Sequence, residues 1–133
     1  MAGSFGFEMD LEKSTDEEKE HMKKQIADFH KYSQLIHNGD YYRLTCYLED
    51  TQLADWEFAA KDKREALLNV VTLNTHGNPL TQYIRCKVLN PDAAYAVEGT
   101  ELICSGKTLM NAGIPVPYMT DEYQSWQVHL KQI

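Results

Sequence analysis

The hydrophobic and polar positions follow two different periodicities along this chain, and the change comes near Gly39. In residues 4–9, the apolar residues Phe5, Phe7 and Met9 alternate with small or polar ones. A period of two residues is typical of a strand, so this segment is predicted as a short strand. It stands alone, because a helical pattern follows it directly.

From residue 14 the apolar positions recur with the spacing of an amphipathic helix. Two capping boxes are possible at its start, Ser14 with Glu17 or Thr15 with Glu18, and both are left open. An Asn-Gly pair is a typical helix end, so we predict one long helix over residues 15–37. Its apolar stripe comprises Met22, Ile26, Phe29, Leu35 and Ile36.

Beyond this helix the periodicity is almost wholly that of strands. Short segments rich in aromatic and β-branched residues alternate with turn segments such as KDKR, HGNP and NPDA. The regular spacing predicts a small antiparallel β sandwich. The predicted strands are 41–48, 54–61, 66–75, 83–89, 94–99 and 123–130.

One segment, SGKTLMNAGIPVP, breaks the strand pattern. Ser105 is a suitable helix cap and Gly113 a suitable helix end, so the segment is predicted as a short helical turn. The prolines that follow predict an extended loop laid over the sheet.

The order of strand, long helix and antiparallel strands leaves two architectures open. A strand followed by a helix is the repeating unit of an α/β barrel, whereas hairpins belong to a different layer. The alternative is an α+β domain in which the helix packs on its own sheet. In both cases the predicted fold class is mainly β with one long N-terminal α-helix.

Composition and charge exclude several classes of function. The 133 residues carry a formal net charge of −7, which argues against a nucleic-acid partner, since phosphate backbones are bound by clustered Lys and Arg. No apolar stretch is long enough to span a bilayer, so no membrane partner is expected. Cys46, Cys86 and Cys104 are odd in number and widely spaced, which is typical of reduced thiols in a cytoplasmic protein.

Residue chemistry alone predicts no catalytic, cofactor-binding or metal-ligating residue. The cysteines lack the histidine context of a nucleophilic thiol, and the SGKT of CSGKTL lacks the glycine spacing of a phosphate-binding loop. The acids of DTQLAD and TDEY could supply an acid and a nucleophile, but acids in turns are usually solvated caps. The five histidines lack metal-ligand spacing. They are His21, His30, His37, His76 and His129.

Aromatic residues outside the helix leave a second function open. Sugar faces pack on flat rings, so exposed aromatics could form a sugar-stacking platform, although aromatics in strands more often lie in a core. The alternative function is therefore an independent carbohydrate-binding or interaction β-module. The residues concerned are Tyr41, Tyr42, Tyr47, Trp56, Tyr118, Tyr123 and Trp126.

Four segments, GSFGFEMDL, GDYYRL, LMNAGIPVP and QSWQVHL, resemble the C-terminal end of bacterial α-galactosidases of glycoside hydrolase family 36. The resemblance implies that residues 1–40 are the last βα unit of a (β/α)8 catalytic barrel, which is incomplete here. Residues 41–133 would then be a C-terminal antiparallel β domain. By the same resemblance, Phe5 and Phe7 pack in the barrel. The segment that seals one side of the terminal domain would include Leu109, Met110, Ile114 and Pro115.

The resemblance also implies which chemistry lies elsewhere. Members of the family are retaining glycosidases that use two aspartates, one of them in a KWD-like motif, and this sequence has no KWD. Residues 104–106 match only the start of the family's CSGGG-like substrate-binding motif, so no catalytic residue is carried over.

The parent protein implied by the resemblance is a cytoplasmic α-galactosidase without a cofactor. It would hydrolyse terminal α-D-galactosyl residues of sugars such as melibiose and raffinose. The present segment would brace the barrel and be inactive by itself. Its expected partners are the rest of the parent chain, the α-galactoside through the barrel alone, and further copies of the parent in a homo-oligomer.

Overall fold

A long helix and a six-stranded antiparallel sheet form most of the structure, a computed structural model that describes residues 3–45, 52–77 and 80–133. Helix α1 spans Asp16–Asn38 and a shorter helix, α2, spans Gly106–Asn111. One 3-10 turn, Leu11–Lys13, precedes α1. The strands are β1 (Asp40–Arg43), β2 (Leu53–Ala59), β3 (Glu65–Thr72), β4 (Tyr83–Ile84), β5 (Ala94–Val97), β6 (Ile103–Ser105), β7 (Ile114–Pro115) and β8 (Ser125–Gln132).

The start of α1 settles which of the two capping boxes is used. The Thr15 hydroxyl accepts a hydrogen bond of 3.2 Å from the Glu18 amide, and the Glu18 carboxylate accepts one of 2.7 Å from the Thr15 amide. The helix ends at Gly39, whose amide donates to Leu35. The predicted long helix is confirmed to within a residue at each end.

The large sheet has the strand order β1-β2-β3-β8-β5-β6, and all its neighbouring pairs are antiparallel. The C-terminal strand β8 therefore lies between β3 and β5 and joins the two halves of the sheet. A separate two-stranded ribbon is formed by β4 and β7.

The two faces of the sheet carry separate hydrophobic cores. On one face, Leu35 and Ile36 of α1 pack against Phe58 and Leu67. Because side chains alternate along a strand, Leu68 points to the opposite face and belongs to the larger core there. That core lies between the sheet, the β4–β7 ribbon and α2. It includes Ala66, Leu68, Val70, Ile84, Leu89, Tyr95, Leu109, Ile114, Val128 and Leu130.

The second half of helix α1 packs on this sheet, a contact that both of the architectures left open allow. The predicted sandwich is met only in part, because the second sheet has two strands and the rest of that layer is α2 and loops. The sealing segment is confirmed for Leu109 and Ile114, which are buried, and for Met110, which packs against the same core. Pro115 is exposed.

Strand boundaries differ most from the prediction at residues 83–89, where only Tyr83–Ile84 is a strand. The Cys86 amide donates to the Leu109 carbonyl at 3.1 Å, and the Lys87 amide donates to the Glu57 carboxylate. Because these donors find partners outside a strand ladder, the strand ends. Strand β6 was not predicted, and the end of the predicted strand 41–48 lies outside the described residues.

The predicted strand at residues 4–9 is wrong for this structure, in which that segment is irregular. Among the described residues no strand runs beside it, so its backbone has no ladder to join. Instead, Phe5 stacks on Phe29 of α1, with ring centroids 5.5 Å apart. An alternating pattern therefore shows which side chains share a face. It does not make a strand unless a second strand lies beside it to form backbone hydrogen bonds.

Candidate functional site

The N-terminal segment and the first half of α1 form an apolar groove of about 710 Å³, which we call the docking groove. The Phe7 ring packs edge-on against Phe5, which in turn is held by Phe29. The apolar side chains that line the groove are Phe5, Phe7, Met9, Leu11, Met22 and Ile26. Four of them are between 38% and 58% exposed, namely Phe7, Met9, Leu11 and Ile26. Apolar residues clustered in this way mark an interaction surface.

Charged residues surround the docking groove on the helix side. Lys23 forms an ion pair of 2.5 Å with Glu20, and Lys19 lies 4.0 Å from Asp16. All four residues also line the groove. An apolar centre with a polar rim is the usual anatomy of a protein interface.

A second cluster of interest lies where α1 meets the far half of the sheet, and we call it the His129 junction. The His129 ring is nearly buried, with a residue exposure of 7%. Its Nε2 atom lies 2.6 Å from a carboxylate oxygen of Glu65, and its Nδ1 atom lies 2.6 Å from one of Glu98. From α1, Lys31 forms an ion pair with Glu98, and the Tyr32 ring contacts the imidazole at a tilt of 51°, with ring centroids 5.2 Å apart.

Charge pairing at this junction shifts the pKa values of Glu98 and Lys31. The hydrogen bond from Lys31, and secondarily that from His129, holds the pKa of the Glu98 carboxyl below its usual value. The same hydrogen bond with Glu98 raises the pKa of Lys31. Both shifts favour the charged forms, so the junction is an ionic contact between α1 and the sheet.

On the opposite face of the sheet, Glu57 is a fully buried carboxyl with 0% exposure. Burial raises the pKa of Glu57 to about 7, although the backbone amides of Lys87 and Val88, which donate to it, act in the other direction. Cys86 lies nearby, and burial, with the Glu57 charge as a smaller cause, raises the pKa of its thiol. A thiol in this environment is a poor nucleophile.

The histidines and cysteines that the structure describes are not assembled into a site. His21, His30, His37 and His76 are exposed, whereas His129 is buried. Within residues 3–45, 52–77 and 80–133, no group of three His, Cys, Asp or Glu side chains is placed to hold a metal ion. Cys86 and Cys104 are free thiols, and Cys46 lies outside the described residues.

Asp121 of TDEY and Ser105 of CSGKTL have structural roles. Asp121 of TDEY accepts hydrogen bonds from Thr120 and Gln124 within one turn, and Asp50 of DTQLAD lies outside the described residues. Ser105 of CSGKTL caps α2 by accepting from the Thr108 amide. The helix it opens is six residues long.

The described aromatic residues that could have formed a sugar-stacking platform are spread over both faces of the sheet and the C-terminal loop. Trp56 packs on the α1 face of the sheet, whereas Trp126 packs against the core of the opposite face. Tyr41 lies on the α1 face with its ring 5.5 Å from Phe58. Tyr118 and Tyr123 are exposed in the C-terminal loop before β8, and Tyr42 lies in β1. Tyr47 lies outside the described residues.

The sequence did not predict the His129 junction. It also did not predict the contact of the buried Glu57 carboxylate with the Lys87 and Val88 amides, which we call the Glu57 anchor. Each joins residues that are 30 or more positions apart, such as Glu57 with Lys87 and His129 with Glu98. The alternating pattern places His129 on the face of β8 opposite to Val128, but it gives no information about which residues lie across from it.

The helices in the described part of the chain include none with the length and apolar character of a membrane span.

Comparison with known families gives the origin of this architecture. The family model of the glycosyl hydrolase family 36 C-terminal domain matches residues 53–130, which run from β2 to β8. The chain belongs to this family. The match contains the large core and the Glu57 anchor, while α1 and the docking groove lie outside it.

Relatives of this family 36 domain match the whole chain, including α1. This chain is 40% identical over 127 residues to the bifunctional alpha-galactosidase/sucrose kinase AgaSK of Mediterraneibacter gnavus. The match covers 96% of this chain and 14% of that protein. It is 34% identical over 133 residues to the alpha-galactosidase AgaA of Geobacillus stearothermophilus, with 100% of this chain and 18% of that protein covered.

Solved structures show the same arrangement. The galactosidase domain of AgaSK superposes with a TM-score of 0.92 at 37% identity, over 97% of this chain and 18% of that one. The AgaA variant solved in complex with raffinose gives a TM-score of 0.87 at 31% identity, over 93% of this chain and 17% of that one. The family 36 chain described here therefore spans less than a fifth of the length of these relatives.

Proposed function

We propose that this chain is the non-catalytic C-terminal part of an α-galactosidase and that its docking groove braces the catalytic barrel. The observation that carries the proposal is the exposed apolar groove between the N-terminal segment and the first half of α1. The large share of each relative that lies outside this match supplies a partner for that surface. Residues 1–40 are then the last βα unit of the barrel, and residues 41–133 are the terminal β domain.

The parent protein in this proposal hydrolyses terminal α-D-galactosyl residues of sugars such as melibiose and raffinose with retention of configuration. Retaining glycosidases use two carboxyl groups about 5–5.5 Å apart. The proposal assigns these two groups to the part of the protein outside this chain, because the match covers only 14% and 18% of the two relatives.

Two further features of the proposal concern the parent protein. Its location is the cytoplasm, which is supported by the free thiols of Cys86 and Cys104. Its quaternary state is a homo-oligomer, and its only small-molecule partner is the α-galactoside held by the barrel.

Hydrolysis of an aryl α-galactoside by the purified chain tests where catalysis lies. We expect no turnover, whereas AgaSK assayed in parallel should cleave the substrate. Turnover that stays with the pure 133-residue chain would overturn the assignment of catalysis to the rest of the protein.

Bracing is tested separately in the longer protein. Replacing Ile26 by Glu places a charge in the docking groove and should lower the midpoint of thermal unfolding of the catalytic part. The matched control is Leu80→Glu, which changes an 86% exposed apolar side chain outside the groove. Equal midpoints for Ile26→Glu and Leu80→Glu would contradict bracing through this groove.

A further inference from the structure

A cleft of about 350 Å³ lies between the middle of α1 and the facing side of the sheet, and we call it the polar cleft. Helix α1 contributes Gln25 and Asp28 to its lining, and the sheet contributes Trp56 of β2 and Gln127 of β8. Phe5 of the N-terminal segment lines both this cleft and the docking groove. The two are therefore neighbouring parts of one surface, of which the groove is the apolar part.

Asp28 is the only charged residue among the described residues that line the polar cleft. It is half-buried, and in the described part of the chain no hydrogen bond or ion pair engages its carboxylate. Of the basic residues one turn away on α1, Lys31 pairs with Glu98, and Lys24 is exposed. Because a carboxylate held partly out of water without a partner is unfavourable, this position favours a cation brought by a partner.

Gln127 offers a second acceptor in the same cleft. Its Nε2 atom donates to Asn69 Oδ1 at 2.7 Å. The Nδ2 atom of Asn69 in turn donates to the Leu67 carbonyl at 3.4 Å, which supports this orientation of both amides. The Oε1 atom of Gln127 is then left to accept, and no donor among the described residues reaches it.

A carboxylate and an amide oxygen beside aromatic side chains match the chemistry of a guanidinium group. The guanidinium presents several N–H donors in a planar fork, so it can bond the Asp28 carboxylate and Gln127 together. It is also weakly hydrated and packs on aromatic rings, which Phe5 and Trp56 supply here. A lysine ammonium is a compact and strongly hydrated charge, so it matches this lining less well.

We propose that the polar cleft receives an arginine side chain from the part of the parent protein outside this chain. The inference rests on the proposed function, because it extends the interface that begins at the docking groove. The matches leave more than four fifths of AgaSK and AgaA uncovered, so the parent has ample chain to supply such a residue. Apolar contacts in the groove are non-directional, whereas the ion pair with Asp28 fixes how α1 and the sheet are oriented against the barrel.

A crystal structure of the longer protein tests the inference directly. We expect a guanidinium from outside residues 1–133 within hydrogen-bond distance of both the Asp28 carboxylate and Gln127 Oε1. Water, a lysine or Arg43 of this chain in that place would overturn the inference, while a barrel seated on the docking groove would leave the proposed function standing. Arg43 is opposite Trp56 in the strand register but does not line the cleft. A docking groove without the barrel on it would contradict both.

An energetic test uses the same longer protein. Asp28→Asn keeps the shape of the side chain and removes its charge, so the thermal midpoint of the catalytic part should fall by roughly 2 °C. The matched control Asp92→Asn changes an exposed acid in the turn before β5 and should leave the midpoint unchanged. If Ile26→Glu lowers the midpoint but Asp28→Asn matches Asp92→Asn, the groove braces the barrel and the arginine is absent. Equal midpoints for all three variants and the wild type would contradict both proposals.

Discussion

At Gly106, a Cβ atom would lie 2.1 Å from the carbonyl oxygen of Asn90, closer than any real side chain approaches backbone. The glycine of CSGKTL is therefore explained by the close approach of two backbone segments, and a phosphate is not needed to account for it. Its position at the start of α2 lets the Ser105 cap and the Asn90 turn pack together.

Replacing Gly106 by Ala should accordingly destabilise the domain. The backbone on one side must move, and we expect the free energy of unfolding to fall by about 1–3 kcal/mol, as for other overpacked sites. Urea denaturation measures the change. The control is Gly77→Ala, where an added Cβ meets nothing within 4 Å. Equal stability of the Gly106→Ala and Gly77→Ala chains would show that the Asn90 contact yields freely.

Glu57 predicts a pH dependence of stability at the residue scale. Below pH 4.5, the ordinary pKa of a glutamate, the Glu57 carboxyl is protonated in both the folded and the unfolded chain. Between pH 4.5 and about 7, the folded chain keeps a proton that the unfolded chain has lost, so stability falls as the pH rises. The loss from this group is on the order of 3 kcal/mol and is complete above its folded-state pKa.

The Glu57→Gln variant isolates this effect because the amide stays neutral and can still accept from the Lys87 and Val88 amides. Its unfolding free energy should lack the decline that the wild type shows between pH 4.5 and 7. Glu122→Gln, an exposed change of the same chemistry, should leave the decline in place. If the wild type and Glu57→Gln give parallel pH profiles in urea denaturation, burial of this carboxyl does not control stability.

At the scale of elements, the sequence predicts α1 well because the signals that start, continue and end this helix all lie within it or beside it. The cap, the stripe and the terminal glycine are all within 26 residues and use helix geometry alone. The strand predicted at 83–89 is shorter in the structure, Tyr83–Ile84, because the signals that end it are not local. Its amides are taken by Glu57 and Leu109, which lie far away in the sequence. A two-residue ribbon between β4 and β7 has no periodicity that a sequence could display.

The start of α1 gives a prediction that distinguishes the two capping boxes, at Ser14 and at Thr15, that the sequence alone left open. Thr15→Ala should lower the free energy of unfolding by about 1 kcal/mol, because the Glu18 amide loses its acceptor. Ser14→Ala should change it by much less, since the Ser14 hydroxyl makes only a 3.4 Å contact with the Asp10 carbonyl. Hydrogen exchange in the first turn of α1 distinguishes them. Equal effects would mean that the box at Thr15 is not formed in solution.

At the scale of the whole molecule, some features could be predicted from the sequence and others depended on which segments become neighbours in the fold. The antiparallel sheet and the helix followed from pattern, and the family resemblance followed from four short segments. The strand predicted at 4–9 is absent, since a strand needs a neighbour and none lies beside this segment among the described residues. The packing of Trp56 and Trp126 on opposite faces could not be predicted either, because it depends on register and on which layer covers each face.

Exposure of the docking groove predicts self-association of the isolated chain. Light scattering should show a concentration-dependent mass for the wild type, and Ile26→Glu should shift it towards the monomer by charging the groove. Leu80→Glu again serves as the control, since it removes an exposed apolar side chain elsewhere. A wild type that stays monomeric with a fully protected α1 would indicate that the groove needs no partner.

The mass of the native polypeptide that carries these residues, measured by mass spectrometry on protein from its own cells, addresses the central proposal most directly. We predict a chain several times longer than the 15.3 kDa segment, purifying together with α-galactosidase activity. A native chain of 15.3 kDa would contradict the proposal that this domain braces a catalytic barrel in the same polypeptide.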